Sequence, residues 1–429
     1  MKSLRRFTWR ATFVLMAVAV LTFLLLSSRS RASGFRIVDQ SPRASGQADA
    51  FVAQADDPSA IYYNPAGLTQ VSNGVMAGFS IVQPISKHKD SSGREESSLE
   101  RYYYPPFLYL VHDLGIEHWR FGLGIYYPFG LGADWNPQGF SRYWSTRSRL
   151  ELLAVNPTVA VEVLPGLSLG AGISFFYSEL TSARRVRLLL PGEGGLIPVG
   201  DGVYEASGYG DGWGYNLGAL YRFWESHSLG LSFRSKSNIK HQGDARVSGI
   251  PLAPGVMGAV SDRFRTTTNL PSSVTFGYAW RPIPELKLEA DIDWTGWGTF
   301  RELDFTFSGE NPLFEDVSIP RNERDAWFYA LGADWQISSC FSLRGGLGYM
   351  ESPVPRETFD TILPRTDQFA FALGGGYKQD SFSFDLAYLG AFGRSKQVEN
   401  EVGKDIGVDL DGSYREINHL VSAGVTFYF

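Results

Sequence analysis

The chain has 429 residues, with 39 Lys and Arg against 45 Asp and Glu and a net charge of −6. That balance argues against nucleic acid as a partner, because phosphate binding rests on clustered cations. The single cysteine, Cys340, excludes an internal disulfide, and no spaced Cys/His partners suggest a metal or another cofactor.

In chain order, Lys2, Arg5, Arg6 and Arg10 precede an apolar run from Ala11 to Leu26, and Ser30-Arg31-Ala32 offers small residues to a signal peptidase. This predicts a signal peptide over 1–32, cleaved after Ala32. The rival, a membrane-anchoring helix, needs roughly 20 apolar residues. Cleavage removes Lys2, Arg5, Arg6, Arg10, Arg29 and Arg31, so the mature chain is more acidic still. Residues 33–73 lack a strand rhythm and form a separate N-terminal segment. From about Val75 to Phe429 every second residue tends to be apolar. The cleanest stretch is Leu286-Lys287-Leu288-Glu289-Ala290-Asp291-Ile292-Asp293-Trp294. Strand side chains alternate between faces, so this segment has one oily and one charged face. The rhythm recurs with aromatic ends and no helical stretch to cover the oily faces. That pattern points to an all-β transmembrane barrel, apolar toward lipid and polar toward the lumen. The slightly negative mean hydropathy fits, since only half the residues of a barrel strand meet lipid.

Fourteen strands are expected, near 74–84, 102–113, 119–130, 147–163, 167–189, 203–223, 228–247, 263–281, 285–308, 324–337, 340–350, 366–378, 381–394 and 413–429. Tight turns at Leu164-Pro165-Gly166, Trp224-Glu225-Ser226, Pro282-Ile283-Pro284, Ser338-Ser339 and Gln379-Asp380 alternate with polar loops over 85–101, 131–146, 190–202, 248–262, 309–323, 351–365 and 395–412. Short periplasmic turns and long extracellular loops are the usual asymmetry. Alternation turns Trp327, Tyr329, Leu331 and Trp335 to lipid and Arg324, Phe328 and Asp334 inward. It also puts Lys287, Glu289, Asp291, Asp293 and Arg344 in the lumen, as hatch-to-wall or wall-to-wall pairs, because buried charge is normally paired. Inward glycines such as Gly346 and Gly374 suit close approach of wall and plug.

Several motifs carry a resemblance. They are Ala55-Asp56-Asp57-Pro58-Ser59-Ala60-Ile61-Tyr62-Tyr63-Asn64-Pro65-Ala66-Gly67-Leu68, Pro128-Phe129-Gly130-Leu131, Leu270-Pro271-Ser272-Ser273-Val274, Arg324-Asp325-Ala326-Trp327 and Glu351-Ser352-Pro353-Val354-Pro355. In this order they resemble the FadL/OmpP1/TodX family of outer-membrane transporters of hydrophobic compounds, over essentially the whole mature chain. The resemblance implies a fourteen-stranded antiparallel barrel (74–429) in the cell outer membrane, plugged by an N-terminal hatch (33–73). It implies passive uptake of long-chain fatty acids or similar hydrophobic molecules through a lumen pocket, hatch movement and lateral exit near the third strand. The alternative within the family is uptake of aromatic hydrocarbons. A general porin, which the hatch argues against, and a surface receptor or adhesin are the other classes. The terminal strand ending in Phe429 looks like the recognition signal of the barrel-assembly machinery, and outer-membrane lipid or lipopolysaccharide is the expected surrounding.

Asn64, Pro65 and Ala66 either form a structural turn or take part in gating. Phe35 either belongs to a flexible terminus or lines the pocket. Arg324, beside Phe328, is the leading anchor for a carboxylate, with Arg321 and Arg184 behind it. Gly122, Gly124, Pro128 and Gly130 mark the strand of the lateral gap, Pro128 because it lacks a ladder donor. The plug is expected to contribute no strand. No Gly-x-Ser-x-Gly motif leads from a strand into a helix, as a nucleophile elbow would, and no metal-spaced cluster suggests an enzyme.

Overall fold

The computed structural model describes residues 35–429 apart from 193–194, 254–255, 310 and 312–313. The expected signal peptide and its cleavage site lie outside the described residues. Fourteen antiparallel strands close into a barrel. They are β1 Gly74–Lys89, β2 Pro106–His112, β3 Trp119–Asp134, β4 Arg147–Leu164, β5 Leu167–Gly192 and β6 Gly195–Phe223. Three strands come in two pieces: β7 His227–Arg234 and Ser237–Ala253, β8 Val256–Leu270 and Ser273–Ile283, and β9 Leu286–Thr295 and Glu302–Phe307. The last five are β10 Ala326–Gln336, β11 Phe341–Met350, β12 Gln368–Lys378, β13 Phe382–Gly393 and β14 Gly412–Tyr428. β14 returns to β1 in unbroken register, from Gly74 opposite Tyr428 to Lys89 opposite Ser413. Closure leaves no edge in lipid, where an unpaired backbone group has no water to turn to.

Strand-to-strand turns at one end are short. Trp224 and Glu225, between β6 and β7, both take positive φ (51° and 59°), the twist that suits a two-residue hairpin. At the other end two expected loops are not loops. The β5–β6 ladder runs on to Gly192 opposite Gly195, and β7–β8 continues to Ala253 opposite Val256. The pairing persists here without the regular apolar rhythm of the lower strands, although Ile250 and Val260 still pack against the core. β7, β8 and β9 are all interrupted at one level, around residues 235–236, 271–272 and 296–301, and Trp297 and Phe300 are buried at that level.

The lumen is filled by residues 35–73, which include two short helices, Pro42–Ser45 and Ala60–Tyr63, and a 3-10 turn, Pro65–Gln70. Their apolar residues, among them Phe51, Ile61 and Leu68, pack with inward residues of the wall into one core. Small wall residues make this possible. A side chain at Gly346 would stand 2.2 Å from the backbone of Gln47, and one at Gly218 would stand 2.2 Å from the Asn64 side chain.

Candidate ligand path

One strand grips most of the hatch. Inward residues of β9 recur at every second position, and each takes a different part of the plug. The Asp291 carboxylate accepts the backbone N–H groups of Phe51 and Val52 at 2.8 and 3.0 Å, and Glu289 accepts those of Ala53 and Gln54 at 2.6 and 2.9 Å. Lys287 pairs with Asp56, and Asp293 with Arg36 at 2.8 Å. Across the lumen Arg43 bridges Asp56 and Asp334 at 3.0 and 3.1 Å, and Arg344 joins Asp334 to Asp385. Of the inward charges expected to be structural, Lys287, Asp293 and Arg344 form ion pairs, while Glu289 and Asp291 are satisfied by backbone N–H groups of the hatch. Asn64 caps the 3-10 turn, accepting the Ala66 N–H through Oδ1, and donates through Nδ2 to Val52 O and Ala219 O at 2.9 and 3.0 Å. It ties the plug to itself and to β6.

The ladder between β2 and β3 is incomplete. β2 and β3 pair only from Leu108 opposite Ile125 to His112 opposite Phe121. Farther along, residues 103–105 bond instead to β1, Tyr103 to Val82 and Pro105 O to Ser80 N–H. The two walls meet again where the Leu99 N–H reaches Asp134 O, 2.7 Å away, beside the Arg101–Asp134–Arg149 cluster. Between these points lies a window in the wall. On its far side β3 bulges, with Tyr127 and Pro128 together opposite Leu153. A bulge bends its strand and re-aims its side chains.

The hatch terminus occupies the free edge of β3. Ile37 N–H donates to Pro128 O at 2.9 Å, Gly130 N–H donates to Phe35 O at 3.0 Å, and Gln40 Nε2 donates to Tyr127 O at 2.9 Å. Arg36 and Phe129 form an antiparallel bridge. This corrects the expectation that the plug contributes no strand: its first described residues serve as a short substitute for β2. The Phe35 ring is fully packed, edge-on to Trp297 at 4.9 Å and Phe300 at 5.7 Å and tilted against Phe129 at 5.8 Å.

Two cavities flank this segment. The lower, of about 250 Å³, runs from inward residues such as Leu389 and Leu420, past Ile37 and Val38, to Tyr103–Pro106 and Tyr127 at the window. The upper, of about 80 Å³, is roofed by Leu303, Phe305 and Ile319 and floored by Phe35. Leu150 lines both. The stretch from Phe35 to Asp39 is thus the partition between an upper pocket and a chamber that reaches the lateral window.

Charge at the edges of these cavities is unusual. Arg321 lines the upper one, buried, with Nη1 on Asp360 at 3.0 and 3.1 Å. Its Nη2 has no hydrogen-bond partner among the described residues. The nearby Glu323 carboxyl is also buried without a partner, and burial pushes it up to about 8. Below the partition, burial raises both Asp39 and Asp49, and each carboxyl further perturbs the other. Tyr63 O–H donates to Asp49 Oδ1 and lies 2.8 Å from Val38 O as well.

The profile of the family described as "Outer membrane protein transport protein (OMPP1/FadL/TodX)" matches residues 23–429. The chain belongs to this family. It is 25% identical over 394 residues to a long-chain fatty acid transport protein of Escherichia coli O6:H1, covering 84% of this chain and 86% of that one. It is 24% identical over 430 residues to outer membrane protein P1 of Haemophilus influenzae, covering 90% and 91%. In fold it is similar to a Pseudomonas aeruginosa FadL homologue (TM-score 0.80, 21% identity, 92% and 100% covered) and to the P. putida toluene transporter TodX (TM-score 0.70, 20% identity, 94% and 99% covered). This family member is an outer-membrane transport barrel.

Among the residues singled out from sequence, Phe35 and Arg321 line the upper cavity, Gly130 lines the lower one, and Pro128 sits in the β3 bulge. Phe328 is inward but sits lower, against Ala50 and Val38. Arg324 is corrected. β10 begins only at Ala326, and Asn322, at φ 46°, breaks the alternation before it. Arg324 is exposed, 3.6 Å from Glu357, and lines neither apolar cavity. Arg184 lies over the Tyr204 ring at 5.3 Å, its cross-strand neighbour on β6, and also lines neither. Gly122 and Gly124 lie in the intact part of the β2–β3 ladder, beside Ile61, so they make room for the hatch and not for the window. Arg36 and the 35–37 pairing were missed. A single charged residue outside the strand rhythm gives no periodic signal.

Proposed function

We propose that this barrel takes up long-chain fatty acids or closely similar apolar acids, by passive diffusion. The observation that carries the reading is the upper cavity: walls of Leu150, Leu180, Phe300, Leu303 and Phe305, with one buried guanidinium, Arg321, holding a spare N–H at its edge. Of the two guanidiniums lining the slot, Arg149 pairs with Asp134, while Arg321 keeps its spare donor. An apolar slot with a buried cationic donor suits an acid with a long tail, and guanidinium–carboxylate contacts are strong when dry. At about 80 Å³ the slot is well below the roughly 300–1,000 Å³ of ordinary ligand sites, so a long tail fits only if the Phe35–Asp39 partition yields. Movement of that partition joins the upper pocket to the lower chamber, and the chamber leads out through the window between β2 and β3. The relatives named for long-chain fatty acid transport support the substrate class. In this reading residues 1–32 direct export, 33–73 are the hatch, 74–429 are the barrel, and the strand ending in Phe429 is the handle for the assembly machinery. The protein acts as a conduit and not as an enzyme.

The second reading, uptake of aromatic hydrocarbons, draws on the toluene transporters of the same fold and on the aromatic lining by Phe35, Phe300 and Phe305. Titration of the purified barrel with a long-chain fatty acid, the matching alcohol and toluene separates the two. The acid should bind most tightly. Tighter binding of toluene, with no preference for acid over alcohol, would select the second reading.

A further inference from the structure

The molecule carries a second feature that the transport path does not use. At the extracellular end, on the far side of the loop that holds Arg321, a polar groove of about 380 Å³ is bounded by Arg324, Pro353, Pro355, Arg356, Arg394 and Lys396, with Glu357 and Asp367 as its carboxylates. Four cations face two acids. Arg324 meets Glu357 only at 3.6 Å and both are exposed. Arg356 has no ion-pair partner among the described residues. Lys396 donates to Val354 O and lies 5.0 Å from the Phe359 ring centre. Burial lowers its ammonium to about 8 against the pull of Asp367 and Glu357, with Arg356 and Arg324 acting in the same direction as burial. With four basic side chains against two carboxylates, the groove is net positive.

The groove also has a definite height. Arg394 follows the end of β13, and its guanidinium lies 5.4 Å from the ring centre of Phe369. Phe369 is the second residue of β12, 41% exposed, and stands opposite Phe392 of β13, 40% exposed. Both belong to the outward, lipid-facing set, as does Trp327 at the start of β10, also 41% exposed. Aromatic side chains of this kind mark the boundary between hydrocarbon and headgroups. A cationic groove resting on that boundary meets headgroups, not acyl chains, and guanidinium groups match phosphate geometry with paired N–H donors.

We propose that this groove binds a phosphate of an outer-leaflet lipid headgroup, with Arg356 and Arg394 as the direct ligands and Arg324 and Lys396 completing the positive field. The contact would clamp the 351–365 loop, and with it Asp360, the partner of Arg321, to the membrane surface.

The test uses the full-length barrel in detergent, titrated with phosphorylated lipid A and with the same lipid after removal of its phosphates. The wild type should prefer the phosphorylated form by tenfold or more. The Arg356→Ala/Arg394→Ala variant should lose that preference while its affinity for dephosphorylated lipid stays unchanged. Arg394→Lys, which keeps charge but not the paired donors, should fall between. Inorganic phosphate should compete only weakly, because a free ion gains nothing from the adjoining lipid face. Equal binding of the two lipids, or an unchanged double variant, would overturn the proposal. Full competition by inorganic phosphate would make the groove a free-anion site, and competition by a fatty acid would make it a ligand-capture site; either result rejects the lipid assignment. If the double variant does not fold, as judged by loss of the heat-dependent gel shift, Arg356→Ala alone decides, since that exposed loop residue has no ion pair to lose.

Discussion

Replacing Arg321 by Lys tests the carboxylate anchor with the least collateral damage. Arg321→Ala would strand Asp360, buried beside it, and breaking such a pair costs about 3–5 kcal/mol by itself. Lys keeps one positive charge within reach of Asp360. It lacks the planar fork through which Arg321 holds Asp360 by Nη1 while Nη2 stays available. The lost contact is one hydrogen bond to a charged group, about 1.5–3 kcal/mol. That corresponds to roughly 10- to 150-fold weaker binding of a fatty acid. The matching alcohol has no carboxylate to lose, so its affinity should move by no more than about twofold, the scale of a change of about 0.5 kcal/mol. The assay is displacement of a fluorescent fatty acid from purified barrel by acid and by alcohol, with the heat-dependent gel shift as the folding control. Equal losses for both ligands would assign Arg321 to the roof of the cavity alone. No loss for either would place the anchor elsewhere and refute the reasoning.

Three further outcomes follow from the same geometry. Phe35→Ala removes the ring that separates the two cavities, while the backbone bonds of residues 35–37 to β3 remain; ion conductance in planar bilayers should rise, and unchanged conductance would show that Phe35 is not the partition. Deleting Pro128 removes the extra residue opposite Leu153 and should straighten β3, leaving a folded barrel with reduced uptake in whole cells; normal uptake would exclude the window as the exit. Asp49 has its carboxyl raised by burial and then by Asp39, and it faces Asp39, Tyr63 and Arg36, so the closed hatch favours the protonated form. Its contribution to closure is complete below the ordinary carboxylate range near 3.8 and is lost as pH climbs through the raised value. Hydrogen exchange at residues 35–49 should therefore quicken with pH beyond the intrinsic rate, and Asp49→Asn should abolish that excess; an excess that persists in Asp49→Asn would clear this pair of the effect.

The parts of the fold legible in the sequence are those that lipid enforces. A residue between hydrocarbon and lumen has only two environments, so Leu288 and Ile292 alternate with Glu289 and Asp293, and all fourteen strands show this rhythm. Where lipid ends, the signal ends. The ladders of β5–β6 and β7–β8 continue through segments read as loops because the backbone pairing there is not accompanied by the alternation of apolar and polar residues that lipid enforces. Alternation also fails silently at a bulge or a left-handed residue. Asn322 turns the chain between Arg321 and Ala326, and counting back by twos from Phe328 wrongly sends Arg324 inward while passing over Arg321. Pro128 was legible as a defect, since proline has no donor. That the hatch repairs the defect was not, because the pairing joins residues some ninety positions apart with no shared motif.

The distribution of these contacts bears on which part of the hatch can move. Residues 51–56 are held by Asp291, Glu289 and Lys287 at successive inward positions of a single strand, and Arg43 adds Asp334. To shift that body, several charges buried in the lumen would lose their partners at once, each at a cost of several kcal/mol. Residues 35–39 are held differently: one ion pair, Arg36 to Asp293, two backbone bonds to β3, the tyrosine hydroxyls of Tyr62 and Tyr63, and aromatic packing around Phe35. Aromatic packing is the one of these that an apolar ligand can replace in kind. A tail entering beside Phe300 and Leu150 offers the same surface that Phe35 now covers, so displacing the ring exchanges one apolar contact for another. On the proposed path, ligand binding and opening of the partition would therefore be the same event at Phe35, and the charged ladder on β9 would keep that event from spreading into the rest of the plug.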